Sequence, residues 1–318
     1  AGVKLAEVSV EIESNRLHTG IADLDAVLGG GFLPGGVVLV AGQPGIGKST
    51  LLAQVSSHIA RNDSVLYVSG EESVSQVKLR TERLGAKQAK FLTLASSNSA
   101  EDIAASIRQG NYNLVVVDSI QTLSLNDISS APGSVSQITN SANVIIRAAK
   151  SANIAVILVG HVTKEGSIAG PKVLEHLVDV VLNFEGDRYG GFRVVRAQKN
   201  RYGSTNEAAI FEMDEDGLRI VKNPSASLLA ERQNLDGSIV LATLEGARPL
   251  LVEIQALVNQ TNFGYPKRAA SGFDLNRLNL LVAVLEKRTK LSLADKDIYV
   301  NVVGGLKLSD PAADLAVA

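Results

Sequence analysis

The chain has 318 residues, 45% of them hydrophobic and 20% charged, and a formal net charge of −2. That length accommodates two domains with separate cores, while the near-neutral balance leaves any polyanion contact to a local patch and advertises neither nucleic acid nor membrane. With no Cys and four scattered His, disulfides and cysteine-ligated zinc are excluded and a reducing cytoplasm is the expected setting; no apolar run approaches the ~20 residues that span a bilayer, and no secretory leader is read at the amino end.

In chain order, "GGVVLVAG" reads as a short buried strand. It leads through the glycine-rich "GQPGIGKST" at 42–50 into "KSTLLAQVSSHIARN", where Leu51, Leu52, Val55 and Ile59 recur at helical spacing. "SVLYVSGEE" is a second strand, and "SVSQVKLRTERLG" a helix expected to turn Leu79 and Leu84 inward. "NLVVVDS", "ITNSANVIIRAAKSAN" and "IAVILVGH" continue as strand, helix and strand. This alternation predicts an α/β fold, a mostly parallel sheet with helices on both faces. After His161 comes a polar loop, "VTKEGSIAGPK". Three strand-like runs follow, "DVVLNFEG", "GFRVVRAQKNRYG" and "AAIFEMDEDGLRIV", which read as added edge strands with a turn at "DEDG". A boundary in "VKNPSASLLAER" divides the chain into 1–222 and 223–318. Beyond it, "GSIVLATLEGARPLLVEIQALV" reads as a hairpin with Val252, Ile254, Ala256 and Val258 along one face. "DLNRLNLLVAVLEKR" reads as a helix with Leu275, Leu278, Val282 and Leu285 on one stripe behind an N-cap at Asp274, and "DIYVNVVGG" as a strand: a smaller α+β domain.

Gly42, four intervening positions, Gly47, Lys48 and Ser49 form a phosphate-loop pattern, and they lie where that pattern has meaning, between a strand and a helix. Without Cβ atoms the backbone can curl so that successive N–H groups face one centre at the positive end of the helix dipole. Gly42, Gln43, Pro44, Gly45, Ile46, Gly47, Lys48, Ser49 and Thr50 therefore read as a triphosphate cradle, with Lys48 reaching the β and γ phosphates and the Ser49 hydroxyl a ligand of Mg²⁺. Asp118, ending a buried strand, is placed to hold the water shell of that ion. Glu71 and Glu72 follow another strand, where one carboxylate would polarise the attacking water or both would simply favour a helix start. His161 closes a third strand as a γ-phosphate sensor or a structural histidine. Lys199, Arg201 and Tyr202 cluster at a predicted hairpin end, and by spacing alone the two cations are solvated.

Taken together, "LHTGIADLDAVLGGGFLPGG", "GQPGIGKST", "YVSGEES", "LVVVDSIQT", "APGSVSQ", "GHVTKEGSIAGPKVLEHLVDVVLNFEGD" and "KNRYG" resemble the RadA (Sms) family of bacterial DNA-repair proteins over nearly the whole chain, and "KNRYG" closely matches that family's KNRFG signature. The resemblance implies a RecA-like P-loop ATPase core joined to a Lon-protease-like domain. It implies a hexameric ring that moves on single-stranded or branched DNA and drives branch migration in homologous recombination, with the RecA recombinase as a candidate partner. It assigns ATP to 42–50, the Mg²⁺ site to Ser49 and Asp118, activation of water to Glu71, and the place of a γ-phosphate-sensing glutamine to His161. Lys199 and Arg201 become cations inserted into the adjacent subunit's site, in place of the solvated reading. "LSLNDISSAPGSVSQ" and "VTKEGSIAGPK" correspond to DNA-facing loops, with Lys164 and Lys172 as candidate phosphate contacts. The four-cysteine zinc module usual in the family has no counterpart here. Ala312 follows Pro311 where Lon proteins carry their nucleophilic serine, so proteolysis is not expected, and the Lon-like domain reads as incomplete at its carboxyl end. Two other classes compete with the motor: an ATP-gated DNA-binding scaffold, and a regulatory ATPase or autokinase like the circadian-clock relatives of RecA.

Overall fold

The computed structural model describes residues 15–85, 88–162, 171–186, 191–230, 232, 235–262, 264–308 and 310–318. These residues fall into two units, one within Ala1–Glu185, Val194–Ala209 and Met213–Ile220, the other within Gly186–Arg193, Ile210–Glu212 and Val221–Ala318. The chain begins with Ala22–Leu28 (α1), Val37–Gly42 (β1), Lys48–Ile59 (α2), Val65–Ser69 (β2), Val74–Arg83 (α3), Leu92–Ser96 (β3) and Ala100–Gln109 (α4). Leu114–Asp118 (β4), a 3-10 turn at Ile120–Thr122, Val135–Ala152 (α5), Ala155–His161 (β5) and Pro171–Leu174 (α6) come next. Val180–Gly186 (β6), Arg193–Asn200 (β7), Ala208–Asp214 (β8) and Gly217–Ile220 (β9) follow.

Among the described residues these strands form one sheet in the order β3-β2-β4-β5-β1-β6-β7-β8-β9, and the six from β3 to β6 pair in parallel. β1 lies between β5 and β6, with Leu39 opposite both Leu158 and Val181. Every residue of β1, β2 and β4 is buried. Strands covered on both faces need apolar residues at successive positions, which is why these runs read as continuous rather than alternating.

Two expectations change and two elements are added. β6, read as an added edge strand, pairs directly with β1 inside the sheet, and only β7 to β9 extend beyond it. β3 and α4 escape the sequence reading because β3 is an edge strand with no fully buried residue, so its sequence lacks an unbroken apolar run. In α3 the inward expectation for Leu79 is wrong: Leu79 is 72% exposed, Val77 and Thr81 are buried and Leu84 is half-buried. Val77, Thr81 and Leu84 stand at i, i+4 and i+7 on one stripe, whereas Leu79 lies roughly 200° round the helix from Val77.

The second unit contains Pro224–Leu229 (α7), Ser238–Glu245 (β10), Arg248–Gln260 (β11), Arg268–Ser271 (β12), Leu275–Thr289 (α8), Lys296–Val302 (β13) and Ala313–Val317 (α9), with a sheet ordered β10-β11-β13-β12. The Asn-Pro-Ser stretch read as a boundary starts α7, since the Asn223 side chain accepts the Ala226 N–H and Pro224 occupies the first turn. Along β11, Val252 and Ile254 are buried and Ala256 is half-buried, but Val258 is 50% exposed. The paired register with β10 ends at Gln255, one residue before Ala256, whose N–H still donates to the Gly237 carbonyl at 2.7 Å, and among the described residues no pairing with β10 reaches Val258. Asp274 caps α8 by accepting the Arg277 N–H at 2.8 Å, and Leu278 and Val282 are buried; Leu275 in the first turn is exposed and Leu285 half-buried.

Candidate nucleotide site

The turn after β1 takes backbone conformations that side chains resist. Gly45 and Gly47 have φ of +77° and +118°, in the region that favours glycine. A Cβ on Gly42 would stand 2.6 Å from the carbonyl oxygen of Phe184 on β6, so the neighbouring strand passes too close for any other residue. Gly47 is the N-cap of α2 and offers no side-chain cap; the first-turn N–H groups of this 12-residue helix are donors for an anion at the dipole's positive end. Lys48 is buried, and its Nζ donates to the carbonyl oxygens of Gly42 at 2.8 Å and Gln43 at 2.9 Å. Ile46 is buried beneath the turn, and Ser49 and Thr50 are half-buried beside it.

The ends of three neighbouring strands bring up the remaining groups. Asp118, buried at the end of β4, accepts a hydrogen bond from the Tyr67 hydroxyl at 2.7 Å. The register places Ser69 opposite Asp118, so Glu71 emerges just beyond. Its Oε1 accepts from Ser119 Oγ at 2.7 Å and lies 3.4 Å from His161 Nε2. His161 is opposite Gly42 in the β1–β5 ladder. Burial and then the charge of Lys48 push its pKa below the ordinary histidine value, against the opposing pull of Glu71 and Asp118. Among the described residues its buried Nδ1 has no hydrogen-bond partner. Gln121 donates to the His161 carbonyl at 3.2 Å, while its own buried Oε1 has no partner among the described residues. Glu72 turns away and pairs with Arg80 of α3. Burial, and then the charge of Asp118, push the Tyr67 phenol well above its ordinary pKa.

Lys199 and Arg201 stand elsewhere. Lys199 Nζ donates to the carbonyls of Glu175 at 2.6 Å and Val178 at 2.8 Å; burial and the adjacent Arg201 lower its pKa, with Asp179 and Glu175 opposing. Arg201 Nη1 is 3.3 Å from Oδ1 of the buried Asp179, which also accepts from the Val37 N–H at 3.0 Å and from Lys150 Nζ at 2.9 Å. Val37 begins β1 and Gly42 ends it, a separation of about 17 Å at strand rise. Within one chain the structure therefore brings together Lys48, Glu71, Asp118 and His161 but not Lys199 or Arg201, and neither cation is simply solvated.

Lys172 is exposed on α6, and Lys164 lies outside the described residues. The other expected DNA-facing loop contains no Lys or Arg. It is pinned by the buried Gln137, which accepts the Leu125 N–H and donates to the carbonyls of Leu125, Ile128 and Ser130. Among the described residues no three His, Asp or Glu side chains converge as a metal cage. The residues fit Mg²⁺ all the same, because that ion keeps several waters and shares phosphate oxygens with one or two protein ligands; a hydroxyl at the helix start and one buried carboxylate, Ser49 and Asp118, suit that demand. Sequence reasoning missed Tyr67, Arg80, Ser119 and Asp179. Tyr67 and Asp118 are 51 positions apart, and no local spacing signals such a pair.

A glycine-rich turn between a buried strand and a helix, with a buried lysine inside it and a carboxylate ending a nearby parallel strand, defines a RecA-like P-loop ATPase. The family model described as AAA domain matches residues 7–167. The fold is similar to a solved structure titled as that of the RadB recombinase, with a TM-score of 0.51 and 26% identity over 65% of this chain and all of that one. Among curated relatives, DNA repair protein RadA of Bacillus subtilis is 53% identical over 307 residues, covering 96% of this chain and 67% of the relative. The proteins of the same name from Streptococcus pneumoniae and Helicobacter pylori are 50% and 49% identical, covering 99% of this chain in each case and 75% and 70% of the relatives. The chain belongs to the RadA family of DNA repair proteins and carries an ATPase-type domain. No helix of the described residues is long and apolar enough to cross a membrane.

Proposed function

We propose that this chain is a cytoplasmic, DNA-dependent ATPase that works as a hexameric ring motor on single-stranded or branched DNA, promoting branch migration during recombinational repair. The observation that carries the reading is the split of the site along β1: the phosphate-facing groups lie beyond Gly42, and Lys199 and Arg201 lie beside Val37. Neither end suffices for hydrolysis, and closing a ring sets one subunit's basic end against its neighbour's nucleotide.

In this reading the turn 42–50, through its available backbone N–H groups and Lys48, holds the triphosphate, Ser49 and Asp118 hold Mg²⁺, and Glu71 takes a proton from the attacking water. Mg²⁺, when bound, offsets charge developing on the phosphates. Ser119 and His161 hold Glu71 by one oxygen, and His161 is the group assigned to sensing the γ-phosphate. Arg201 and Lys199 of the adjacent subunit complete the charge stabilisation. Lys172, together with Lys164, supplies DNA phosphate contacts that a ring multiplies sixfold, giving a salt-dependent attraction despite a near-neutral chain. Residues 223–318 are a non-proteolytic Lon-like domain, and the RecA recombinase is the proposed partner.

The test mixes two inactive variants. Arg201→Ala and Lys48→Ala should each lower hydrolysis by about 10³-fold or more. Mixed assemblies should recover a measurable fraction of it, because an intact loop then meets an intact arginine across an interface. Mixed particles confirmed by light scattering that show no recovery would remove the shared-site reading.

A further inference from the structure

Asp118 does not stand alone in the protein. Its Oδ2 accepts the hydrogen bond of Tyr67, a side chain only 1% exposed in the middle of β2. The same hydroxyl oxygen accepts from Arg80 Nη2 at 3.3 Å, and the Arg80 guanidinium carbon lies 6.0 Å from the Tyr67 ring centre. Through Nη1, Arg80 is paired with Glu72. Glu72, Arg80, Tyr67 and Asp118 thus form one chain of contacts running from α3 to the end of β4.

A phenol that merely filled the core would be served as well by phenylalanine, since a buried hydroxyl costs free energy unless it is bonded. This one is bonded on both sides, and it takes up one particular oxygen of the carboxylate. Among the described residues Oδ1 has no protein partner. Holding Oδ2 fixes the rotation of the carboxylate and commits Oδ1 to whatever Asp118 serves, the arrangement by which outer partners orient a metal-site carboxylate.

We propose that Tyr67 is a positioning residue for the Mg²⁺ site of the bound nucleotide, acting through Asp118 and itself held by Arg80 and Glu72. The proposal rests on the reading of Asp118 as the Mg²⁺-site carboxylate. It also gives Glu72 an orienting task, distinct from the water activation assigned to Glu71.

Binding of a fluorescent ADP analogue to the whole chain, titrated with Mg²⁺ and with no turnover involved, separates the two ideas. Tyr67→Phe should raise the Mg²⁺ concentration for half-maximal binding by about 10-fold, leaving affinity in EDTA and the melting temperature close to wild type. A half-point within twofold of wild type, in a titration where Asp118→Asn shifts strongly, would overturn the role of Tyr67 alone. An unshifted Asp118→Asn would instead remove the reading of Asp118, and the proposal with it. Should Tyr67→Phe melt early, Arg80→Met reports from α3: a shift in the same direction of about threefold, below that of a direct partner, is expected, and no shift would overturn the proposal.

Discussion

Asp179→Asn tests how the basic end of the site is held. Asp179 is 2% exposed and faces two cations, Lys150 and Arg201, whose side chains are 48% and 56% exposed. The substitution keeps shape and removes charge. A hydrogen bond to a charged acceptor contributes ~1.5–3 kcal/mol against ~0.5–1.5 for a neutral one, so the bond from the Val37 N–H weakens by about 1 kcal/mol. The two half-exposed ion pairs contribute ~0.2–1 kcal/mol each, which brings the expected loss to about 2 kcal/mol. Burial alone would raise the pKa of Asp179, but hydrogen bonds from Lys150 and the Val37 N–H, with the charge of Lys150, outweigh it and hold the carboxyl below its ordinary value. A carboxylate depressed in the folded state contributes stability that is complete above its unfolded pKa and is lost as pH falls through the folded one. The gap between wild type and variant should therefore stay constant from about pH 8 to pH 5 and close only below the ordinary carboxylate range. Urea unfolding followed by far-UV circular dichroism measures it, compared transition by transition because the two units need not unfold together. A gap below about 0.5 kcal/mol at pH 7, or one already shrinking between pH 8 and 5, would refute the reasoning.

Two further predictions follow from the same contacts. Glu71→Gln should lower ATP turnover by about 10²–10⁴-fold at any Mg²⁺ concentration, whereas Glu72→Gln should cost much less and regain most of its loss at raised Mg²⁺; steady-state hydrolysis across a Mg²⁺ series distinguishes them, and equal, Mg²⁺-independent losses would contradict the sorting of the pair. On α3, Val77→Ala should destabilise by about 2 kcal/mol, from two lost methyl groups plus a cavity. Leu79→Glu should stay within about 0.5 kcal/mol of wild type, and a chemical denaturation midpoint that fell more for Leu79→Glu than for Val77→Ala would show the helix to be rotated.

Much of the first unit was legible because its signals are local. A strand buried on both faces must be apolar throughout, and "VVLVAG", "LVVVD" and "AVILVG" announce themselves that way. The edge strand β3 escaped because an edge carries no such demand, and α7 went unread because an N-cap Asn with a first-turn Pro looks the same at short range as an interruption between elements. Leu79 was misplaced for a related reason: a short helix offers few apolar positions, and which stripe is buried depends on where its neighbours lie.

The sequence by itself determined the anion-cupping turn. Gly42, Gly45, Gly47 and Lys48 lie within seven consecutive positions, and the backbone conformation they require follows from the absent Cβ atoms and from the helix that starts at Lys48. Only the tertiary structure decided the company each functional side chain keeps. It set Glu71 with Ser119 and His161 and Glu72 with Arg80, gave Asp118 to Tyr67, and put Arg201 with Asp179 at the far end of β1. Apart from Glu72 and Arg80, eight positions apart, those pairings join residues brought together by strand order, and strand order comes from packing whole elements against one another, which no short stretch of sequence encodes.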